Sequence, residues 1–353
     1  MVRDRPNSGD RPVLGISIGD PAGIGPEITL KALARSELYE RAVPVVYADR
    51  LVLEDGLRVT EKNLGLHPIK EPGEAFGKPG TVDFIEAGVI RQSGDYAYGK
   101  AAAKSGDAAF QYVVKALKDA QAGAVDAVVT CPINKEAINL AGHHFAGHTE
   151  IFAHYTNTKN YGMLLSAKIG EKSLNVIHVT THVSLRKACD LITKDRVLDT
   201  IRLAAHALAL MGGKTRRIAV AGLNPHSSEN GLFGDEESAA IIPAIEAAKA
   251  EGLDASGPYP PDTVFVKALG GAFDIVVAMY HDQGHIPLKL CGFTLDSSGF
   301  SKMRGINTTI GLPVIRTSVD HGTAFDIAGR NLSSDDSLLD AIDMAVTFCI
   351  HRA

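Results

Sequence analysis

The chain has 353 residues, of which 45% are hydrophobic, and a formal net charge of −5 at pH 7. A chain of this length is too long for one small core and suits two lobes of an α/β enzyme. The acidic balance and the lack of any basic block argue against a nucleic-acid partner, because proteins that bind nucleic acids cluster lysine and arginine.

The sequence also indicates a cytoplasmic protein. The stretch from Met1 to Asp10 is polar and charged, without the apolar core of a signal peptide. No run reaches the about 18 apolar residues of a membrane span. The four cysteines are scattered without a C-x-x-C pair, so we expect free thiols in a reducing compartment.

Short β-branched runs alternate with longer segments whose apolar residues recur at helical spacing. This alternation predicts a layered α/β protein with a large, substantially parallel sheet. The predicted strands are Val13 to Ile18, Val43 to Tyr47, Val125 to Thr130, Leu174 to Val179, Ile218 to Ala221 and Ile275 to Met279. The predicted helices include Ala109 to Ala122, Val197 to Met211 and Glu236 to Ala250. The segment from Thr294 to Gly305 contains serine and glycine without a period, so we expect an exposed loop there.

The motif GDPAGIGPE, from Gly19 to Glu27, follows the first predicted strand. Its glycines allow close backbone approach, Pro26 suits a first helical turn, and Glu27 complements the positive end of a helix. The motif is neither G-x-G-x-x-G nor a Walker loop. Two interpretations stay open, namely a ligand-facing loop at a strand end and a strained strand-to-helix turn.

Three histidines each follow a predicted buried strand. They are His182, His226 and His281. Three imidazoles at strand ends can converge on one divalent metal and leave positions open for a substrate. Each can equally be a hydrogen-bonded core residue.

Each of these histidines also has a local alternative. The threonines before His182 could cap a helix that begins near Ser184, and Asn224-Pro225 before His226 could be only a turn. His281 precedes Asp282, which is placed to orient an imidazole or to bind metal, and then a predicted turn at Gln283-Gly284.

Motifs spread from residue 15 to about 330 resemble the 4-hydroxythreonine-4-phosphate dehydrogenase family of vitamin B6 biosynthesis. They are GDPAGIGPE, CPINKEA, GHTE, TTH, NPHSSENGLFGDEE, PPDTVF, MYHDQGHIPLK and RTSVDHGTAFDIAG. Within the family, NPHSSENGLFGDEE, His285-Ile286-Pro287 and Asp320 to Gly329 look most like a second branch, the D-threonate and D-erythronate 4-phosphate dehydrogenases. The resemblance implies a two-lobed fold similar to isocitrate and isopropylmalate dehydrogenases, with a largely parallel central sheet.

We expect a polar tail over residues 1–10, a cofactor-side lobe over 11–130 and 300–353, and a substrate, metal and dimerisation lobe over 131–299. The resemblance implies a homodimer with shared active sites, in which both subunits supply ligands to a divalent metal (Zn, Mg, Mn or Co). The implied metal ligands are His182, His226 and His281.

The substrate residues of the family are also retained. They fall on His148, Thr149, Lys289, Asn307 and Arg316. For a phosphorylated hydroxy acid, Arg316 can grip an anionic group bidentately, Lys289 adds a point charge, and His148 adds a hydrogen bond. Between Lys289 and Asn307 the polar Thr294 to Ile306 segment is longer than the family pattern, so we expect a reshaped pocket.

The resemblance to isopropylmalate-type enzymes places a nicotinamide cofactor at the loop from Asp320 to Gly329. The expected cofactor-binding residues are Gly19, Asp20, His321, Gly322, Thr323, Ala324 and Asp326. The alternative for this loop is a turn leading into the terminal helix. We expect NAD rather than NADP, because no arginine-rich patch is present to read a 2′-phosphate.

The implied reaction is oxidation at C3 with hydride transfer to NAD, followed by loss of the carboxylate. A sugar acid would give dihydroxyacetone phosphate, and hydroxythreonine phosphate the amino analogue. Lys135 and Asp282 are the candidate catalytic residues for proton transfer, although Lys135 could equally begin a helix. Two alternatives stay open, namely a dehydrogenase of aromatic cis-diol carboxylates, which shares HDQGHIP, and a non-redox phosphate-ligand protein.

Overall fold

The computed structural model describes residues 11–296 and 299–352, so the expected tail over residues 1–10 lies outside the described residues. The chain forms two compact units. The first runs to Thr158 and resumes from Leu312 to Ile350, and the second runs from Lys159 to Gly311.

The strands are β1 (Val13–Ser17), β2 (Val43–Tyr47), β3 (Gly65–Pro68), β4 (Thr81–Ile85), β5 (Ala127–Thr130), β6 (Gly162–Ile169), β7 (Lys172–His178), β8 (Ile218–Ala221), β9 (Ala255–Tyr259), β10 (Ile275–Ala278), β11 (Phe293–Asp296), β12 (Gly299–Met303), β13 (Ile306–Ile310) and β14 (Ile315–Val319). The α-helices are α1 (Gly25–Leu33), α2 (Leu38–Arg41), α3 (Arg50–Thr60), α4 (Ala103–Gln121), α5 (Lys135–Leu140), α6 (His148–Tyr155), α7 (Leu185–Asp190), α8 (Lys194–Leu210), α9 (Ile242–Ala250), α10 (Val264–Leu269), α11 (His281–Gly292) and α12 (Asp336–His351). Every strand and helix expected from periodicity is confirmed, except that the helix expected from Glu236 begins as a π-helix over Glu237–Ile241 before α9.

The first unit contains a parallel sheet in the order β3-β4-β2-β1-β5-β14. All five residues of β1 are buried, as expected for a central strand of a parallel sheet covered by helices. Helix α4 packs on β1, β2 and β5. The chain order reverses between β1 and β5, so the loops after these strands lie at a switch point, where α/β proteins place ligands.

The second unit contains a mixed sheet in the order β13-β6-β7-β10-β8-β9. Strands β7, β10, β8 and β9 are parallel, whereas β6 runs antiparallel to both of its neighbours. Helices α10 and α11 pack on this sheet over an apolar core that includes Val176, Phe265 and Leu288. The carboxyl ends of β7, β10 and β8 therefore point to one edge of the sheet.

The unit boundaries differ from the expected lobes. Helix α5 belongs to the first unit because it touches α4: a Cβ placed on Gly106 would lie 2.0 Å from the carbonyl oxygen of Ala137. Strand β13 belongs to the second unit because it pairs with β6 along its whole length. The assignment of cofactor and substrate to one unit each remains a prediction.

The prediction of an irregular loop from Thr294 to Gly305 is wrong. Strands β11 and β12 pair antiparallel there, with an irregular register between Thr294 and Leu295. A two-stranded pair with a bulge has no regular alternation to detect. All four cysteines are free thiols, as expected. No helix in the described part of the chain is long and apolar enough to cross a membrane.

Candidate functional site

Three loops of the first unit meet at the carboxyl ends of β1, β5 and β14. The backbone N–H of Asp20, after β1, donates to the carbonyl of Pro132, after β5, at 2.9 Å. The N–H of Ile24 donates to the carbonyl of Thr323, after β14, at 3.0 Å. The structure thus brings the GDPAGIGPE motif together with the expected cofactor loop.

Close packing explains why glycines stand in this motif. Gly19 has a φ of +78°, and a Cβ there would lie 2.3 Å from the oxygen of Pro132. A Cβ on Gly23 would lie 2.9 Å from Thr323. The Glu27 carboxylate accepts hydrogen bonds from the N–H of Gly329, at 2.6 Å, and from a serine hydroxyl. Glu27 therefore locks the β14 loop onto helix α1.

Asp20 is a buried carboxylate at the centre of these loops. It is fully buried, and its Oδ1 accepts a hydrogen bond from the N–H of Ala22 at 2.9 Å. Its Oδ2 has no hydrogen-bond partner among the described residues. Burial raises the pKa of Asp20 to about 6, although Ala22 and Ser105 act in the opposite direction. An unpartnered buried oxygen of this kind is typical of a ligand site.

The loop after β14 is irregular and partly accessible. Space around the Cα of Gly322 is open, and Ala324 takes a left-handed φ of 44°. The Nδ1 of His321 lies 3.0 Å from the Gly322 carbonyl oxygen, and burial lowers the pKa of this histidine. Asp326 is exposed. Five of the expected cofactor residues thus lie in this one loop, which leads towards α12, and Gly19 and Asp20 lie in the loop after β1.

A buried arginine lies next to these loops. Arg316 of β14 is 2% exposed, and its Nε and Nη2 donate to Thr130 Oγ1 at 3.2 and 2.9 Å. The guanidinium carbon lies 5.9 Å from the centre of the Phe152 ring. Burial lowers the pKa of Arg316 to about 9, and Glu150 opposes that shift. The side chain therefore stays cationic at neutral pH.

His148 lies close to this cation. It is the first residue of α6, and its buried Nε2 has no hydrogen-bond partner among the described residues. Burial, followed by the charges of Arg316 and Lys135, holds the pKa of His148 well below its usual value. Its imidazole is therefore neutral. Thr149 follows in the same helical turn.

Lys135 begins α5, which is the alternative that the sequence left open. Asn134 caps this helix by accepting the N–H of Ala137 on its side-chain oxygen at 2.9 Å. The Lys135 side chain is exposed. Its Cε lies 3.9 Å from the position of a Cβ on Gly147, next to His148.

The second unit presents the three histidines at one sheet edge. His182, His281 and His226 follow β7, β10 and β8, which are adjacent and parallel. The ring centres of His182 and His281 lie 5.8 Å apart. Among residues 11–296 and 299–352, no group of three or more His, Cys, Asp or Glu side chains is arranged to hold one metal ion. One chain thus brings two of the three imidazoles together.

His281 is oriented on two sides. Its Nδ1 lies 2.6 Å from Asp282 Oδ1, and this contact lowers the pKa of Asp282. Its ring stacks on His285 at 3.6 Å between centres. This contact is the one expected of a residue that orients the imidazole, and the role of Asp282 stays a prediction. The predicted turn at Gln283-Gly284 is wrong, because both residues lie in the first turn of α11.

The surroundings of His182 correct the capping alternative. Ser184 caps α7, since its Oγ accepts the N–H of Lys187 at 3.3 Å. The hydroxyl of Thr180 instead donates to the carbonyl of Met279 at 2.8 Å, which ties the ends of β7 and β10.

His226 lies in an unusual segment. Residues from His226 to Asn230 all have positive φ between 47° and 72°, and none is glycine. Left-handed backbone costs about 1 kcal/mol or more per L-residue, so this loop must be held by its surroundings. Asn224-Pro225 starts the segment, as the turn alternative expected.

The two remaining predicted substrate residues also belong to the second unit. Lys289 is exposed on α11, with its Nζ 5.6 Å from the centre of the Phe293 ring. Asn307 lies in β13, and its Nδ2 contacts the sulfur of Met163 at 3.3 Å.

Sequence reasoning missed residues that support these sites. Thr130 and Phe152 hold the Arg316 guanidinium, and no motif indicates that contact. His178 is buried, with its ring centre 4.8 Å from that of His285, and burial lowers its pKa to about 3. The available sequence signal for His178 was that HVTTH contains a second histidine besides His182.

The chain is similar to known proteins over nearly its whole length. The model of the family described as pyridoxal phosphate biosynthetic protein PdxA matches residues 40–345. The D-threonate 4-phosphate dehydrogenase of Cupriavidus necator is 45% identical over 343 residues, which cover 97% of this chain and 98% of that protein. The structure of a 4-hydroxythreonine-4-phosphate dehydrogenase from Klebsiella pneumoniae is 43% identical, with a TM-score of 0.82 and coverage of 96% and 99%.

Two more distant structures bear on the alternatives. A terephthalate 1,2-cis-dihydrodiol dehydrogenase from Burkholderia xenovorans is 32% identical, with a TM-score of 0.65 and coverage of 96% and 98%. A β-decarboxylating dehydrogenase from Thermococcus kodakarensis is 13% identical, with a TM-score of 0.50 and coverage of 94% and 81%. At that identity the likeness concerns the fold alone, and it confirms the expected fold class.

Proposed function

Because the chain belongs to the PdxA family, we propose that it oxidises and decarboxylates a 4-phosphorylated four-carbon hydroxy acid with a nicotinamide cofactor and a divalent metal. The names of the relatives from Cupriavidus and Klebsiella give D-threonate 4-phosphate and 4-hydroxythreonine 4-phosphate. Both molecules carry a phosphate and a carboxylate. The observation that carries the proposal is the buried cation of Arg316, fixed by Thr130 beside a neutral His148.

In this proposal the first unit binds an anionic group of the substrate. The planar guanidinium of Arg316 can bond two oxygens of a phosphate or carboxylate, and the low-polarity surroundings strengthen that interaction. The Nε2 of His148 is buried without a partner among the described residues, so a substrate oxygen would satisfy it. Thr149, Lys289 and Asn307 remain predicted substrate contacts.

His182 and His281 fit a divalent metal by their donor chemistry. The centre of a ligand ring lies about 3 Å from its metal, so two ligand rings on one tetrahedral ion lie about 5 to 6 Å apart. The observed separation of 5.8 Å agrees with that range. Because Asp282 engages the Nδ1 of His281, the Nε2 is the nitrogen that faces the metal. We assign His226 as the third ligand, supplied by the partner subunit.

When bound, the metal supplies a Lewis acid to the hydroxyl that is oxidised and to the oxygen that gains charge as the carboxylate leaves, and NAD accepts the hydride. Lys135, at the exposed start of α5, takes the hydroxyl proton in this proposal, a step that requires its side-chain amine in the neutral form. Asp282 orients His281 instead, because its Oδ1 is already engaged. The loop from Asp320 to Gly329 carries the cofactor, and it contains no lysine or arginine, which favours NAD over NADP.

A homodimer is proposed from exposed apolar side chains near each histidine segment. Leu185 is 60% exposed, Leu232 is 71% exposed, and Leu290 on α11 is 80% exposed. Single exposed apolar side chains are common, but these three all lie in the segments that carry the histidines, which favours a partner that covers them. Light scattering should show a dimer that Leu290→Asp weakens, whereas Leu140→Asp in the first unit should leave it intact.

The activity is tested by NADH formation with purified, metal-loaded protein. D-threonate 4-phosphate, D-erythronate 4-phosphate and 4-hydroxythreonine 4-phosphate are compared, each with and without a chelator and with NADP in place of NAD. We expect a chelator-sensitive signal with a phosphorylated acid. If the protein turns over an aromatic cis-diol carboxylate and none of these three acids, it is instead a dehydrogenase of the terephthalate dihydrodiol type. No nicotinamide reduction with any of these would reject the redox proposal.

A further inference from the structure

The loop that carries His226 requires an anchor. Its backbone is left-handed over five consecutive L-residues, from His226 with a φ of 52° to Asn230 with a φ of 57°. Such residues occur routinely only one at a time. A run of them persists only where surrounding contacts hold it.

Glu237 holds the residues at the start of this loop. This side chain is 3% exposed. Its Oε1 accepts the backbone N–H groups of Leu223 and Asn224, both at 2.8 Å, and its Oε2 accepts the side-chain amide of Asn224 at 2.8 Å. Three donors on one buried carboxylate fix the two residues that immediately precede Pro225 and His226.

The local backbone is shaped to let this carboxylate reach the loop. Glu237 begins a π-turn that runs to Ile241, and such turns are often found at functional sites. A Cβ on Gly222 would lie 3.0 Å from Glu237 Oε1 and 2.4 Å from Ser227 Oγ. A Cβ on Gly234 would lie 2.6 Å from Asn224 Nδ2. Only glycine fits at these two positions.

A second contact joins the same loop to the segment of His281. The side chain of Gln283 accepts the N–H of Met279 at 2.6 Å and donates to the carbonyl of Gly222 at 2.8 Å. The start of the His226 loop is therefore tied to the first turn of α11, where His281 lies.

We propose that Glu237 is a positioning residue that holds the His226 loop in the geometry required for metal binding. The inference rests on the metal site assigned above and extends it to a residue that contacts no metal. Glu237 acts through the backbone of Leu223 and Asn224. Supporting groups of this kind typically change metal affinity by about tenfold to a hundredfold.

The first test is a Co²⁺ titration of the full-length, metal-free protein, followed by visible absorption. Glu237→Gln keeps the shape but places an amide N–H opposite the amide of Asn224, so we expect the Kd for Co²⁺ to rise by about tenfold to a hundredfold. The matched control is Glu229→Gln, which removes one charge from an exposed position of the same loop and should bind Co²⁺ like the wild type. His226→Ala should lose the wild-type Co²⁺ spectrum.

The second test does not require a metal. Hydrogen exchange of the peptide spanning residues 222–236 in metal-free protein should become faster in Glu237→Gln and stay unchanged in Glu229→Gln. If Glu237→Gln fails to fold, Asn224→Ala removes one of the contacts while keeping the buried carboxylate, and the same two readouts apply.

The outcomes separate this inference from the proposed function. Wild-type exchange in Glu237→Gln would overturn the anchoring role, and faster exchange with a wild-type Co²⁺ affinity would overturn the link to the metal. A His226→Ala variant that binds Co²⁺ like the wild type would instead reject the metal assignment of His226, together with the inference that depends on it.

Discussion

The two units prepare their predicted sites in different ways. In the first unit, loops from three strand ends bond to one another within one chain, through contacts such as Asp20 to Pro132 and Ile24 to Thr323. In the second unit, three adjacent strand ends each present a histidine, but only His182 and His281 come within ligand distance of each other. Strands whose carboxyl ends lie at the same edge of a sheet therefore bring their loops together, but the side chains of those loops need not converge on one point.

The strongest test of this difference is subunit complementation at the histidines. His226→Ala and His182→Ala should each lower turnover at least about a thousandfold, because a metal supplies several kcal/mol of stabilisation. If His226 serves the partner's site, co-expression of these two variants should restore about a quarter of wild-type activity, since half of random dimers are mixed and each has one intact site.

The matched control for complementation uses two ligands assigned to the same chain. Co-expressed His182→Ala and His281→Ala should restore no activity, because neither site of their mixed dimer is complete. Equal restoration by both pairs, measured as NADH formation, would contradict the assignment of His226 to the partner's site.

Arg316→Lys should show that the first unit binds substrate through the planar guanidinium of Arg316, which Thr130 holds in place. A lysine cannot bond two oxygens in one plane, so we expect the substrate KM to rise about a hundredfold. The KM for NAD should change less than about twofold. Steady-state kinetics with each substrate varied in turn measures both, and a change confined to NAD would show that Arg316 is misassigned.

Asp20→Asn should show how much the burial of the Asp20 carboxylate among the loops of the first unit lowers the free energy of unfolding. The pKa of Asp20 is raised from 3.8 to about 6 in the folded chain, so the folded state binds more protons and wild-type stability falls as pH rises through that window. The asparagine variant lacks this titration. Its advantage should grow from near zero below pH 4 to about 3 kcal/mol at pH 7.

Thermal unfolding of both proteins between pH 4 and pH 7 checks this prediction. The Tm difference should widen in favour of Asp20→Asn as pH rises. Parallel Tm profiles would indicate that Asp20 ionises without cost in the folded chain.

Thr130→Val should have the smallest effect. Valine keeps the volume of threonine but removes the acceptor for two N–H groups of Arg316. We expect the substrate KM to rise about tenfold, in keeping with the loss of a hydrogen bond to a charged group. Thr130→Ser retains the hydroxyl and should stay near wild type, and equal KM values for the two variants would contradict the role of Thr130.

Much of the fold could be predicted because the strands are buried on both faces and read as apolar runs, as β1 and β10 do. Strand β3 is mostly exposed or half-buried, and β9 contains a glycine and a proline, so neither gives a clear pattern. The β11 and β12 pair was missed because its register is irregular.

The sequence by itself determined the alternating α/β order, the placement of the histidines after buried strands, and the motifs that identify the family. These properties depend on local spacing and residue type. Tertiary structure alone decided that Thr130 holds Arg316, that Glu237 anchors the His226 loop, and that Gln283 joins that loop to the His281 segment. Those contacts link residues brought together by sheet pairing and loop packing, and neither leaves a periodic signal in the chain.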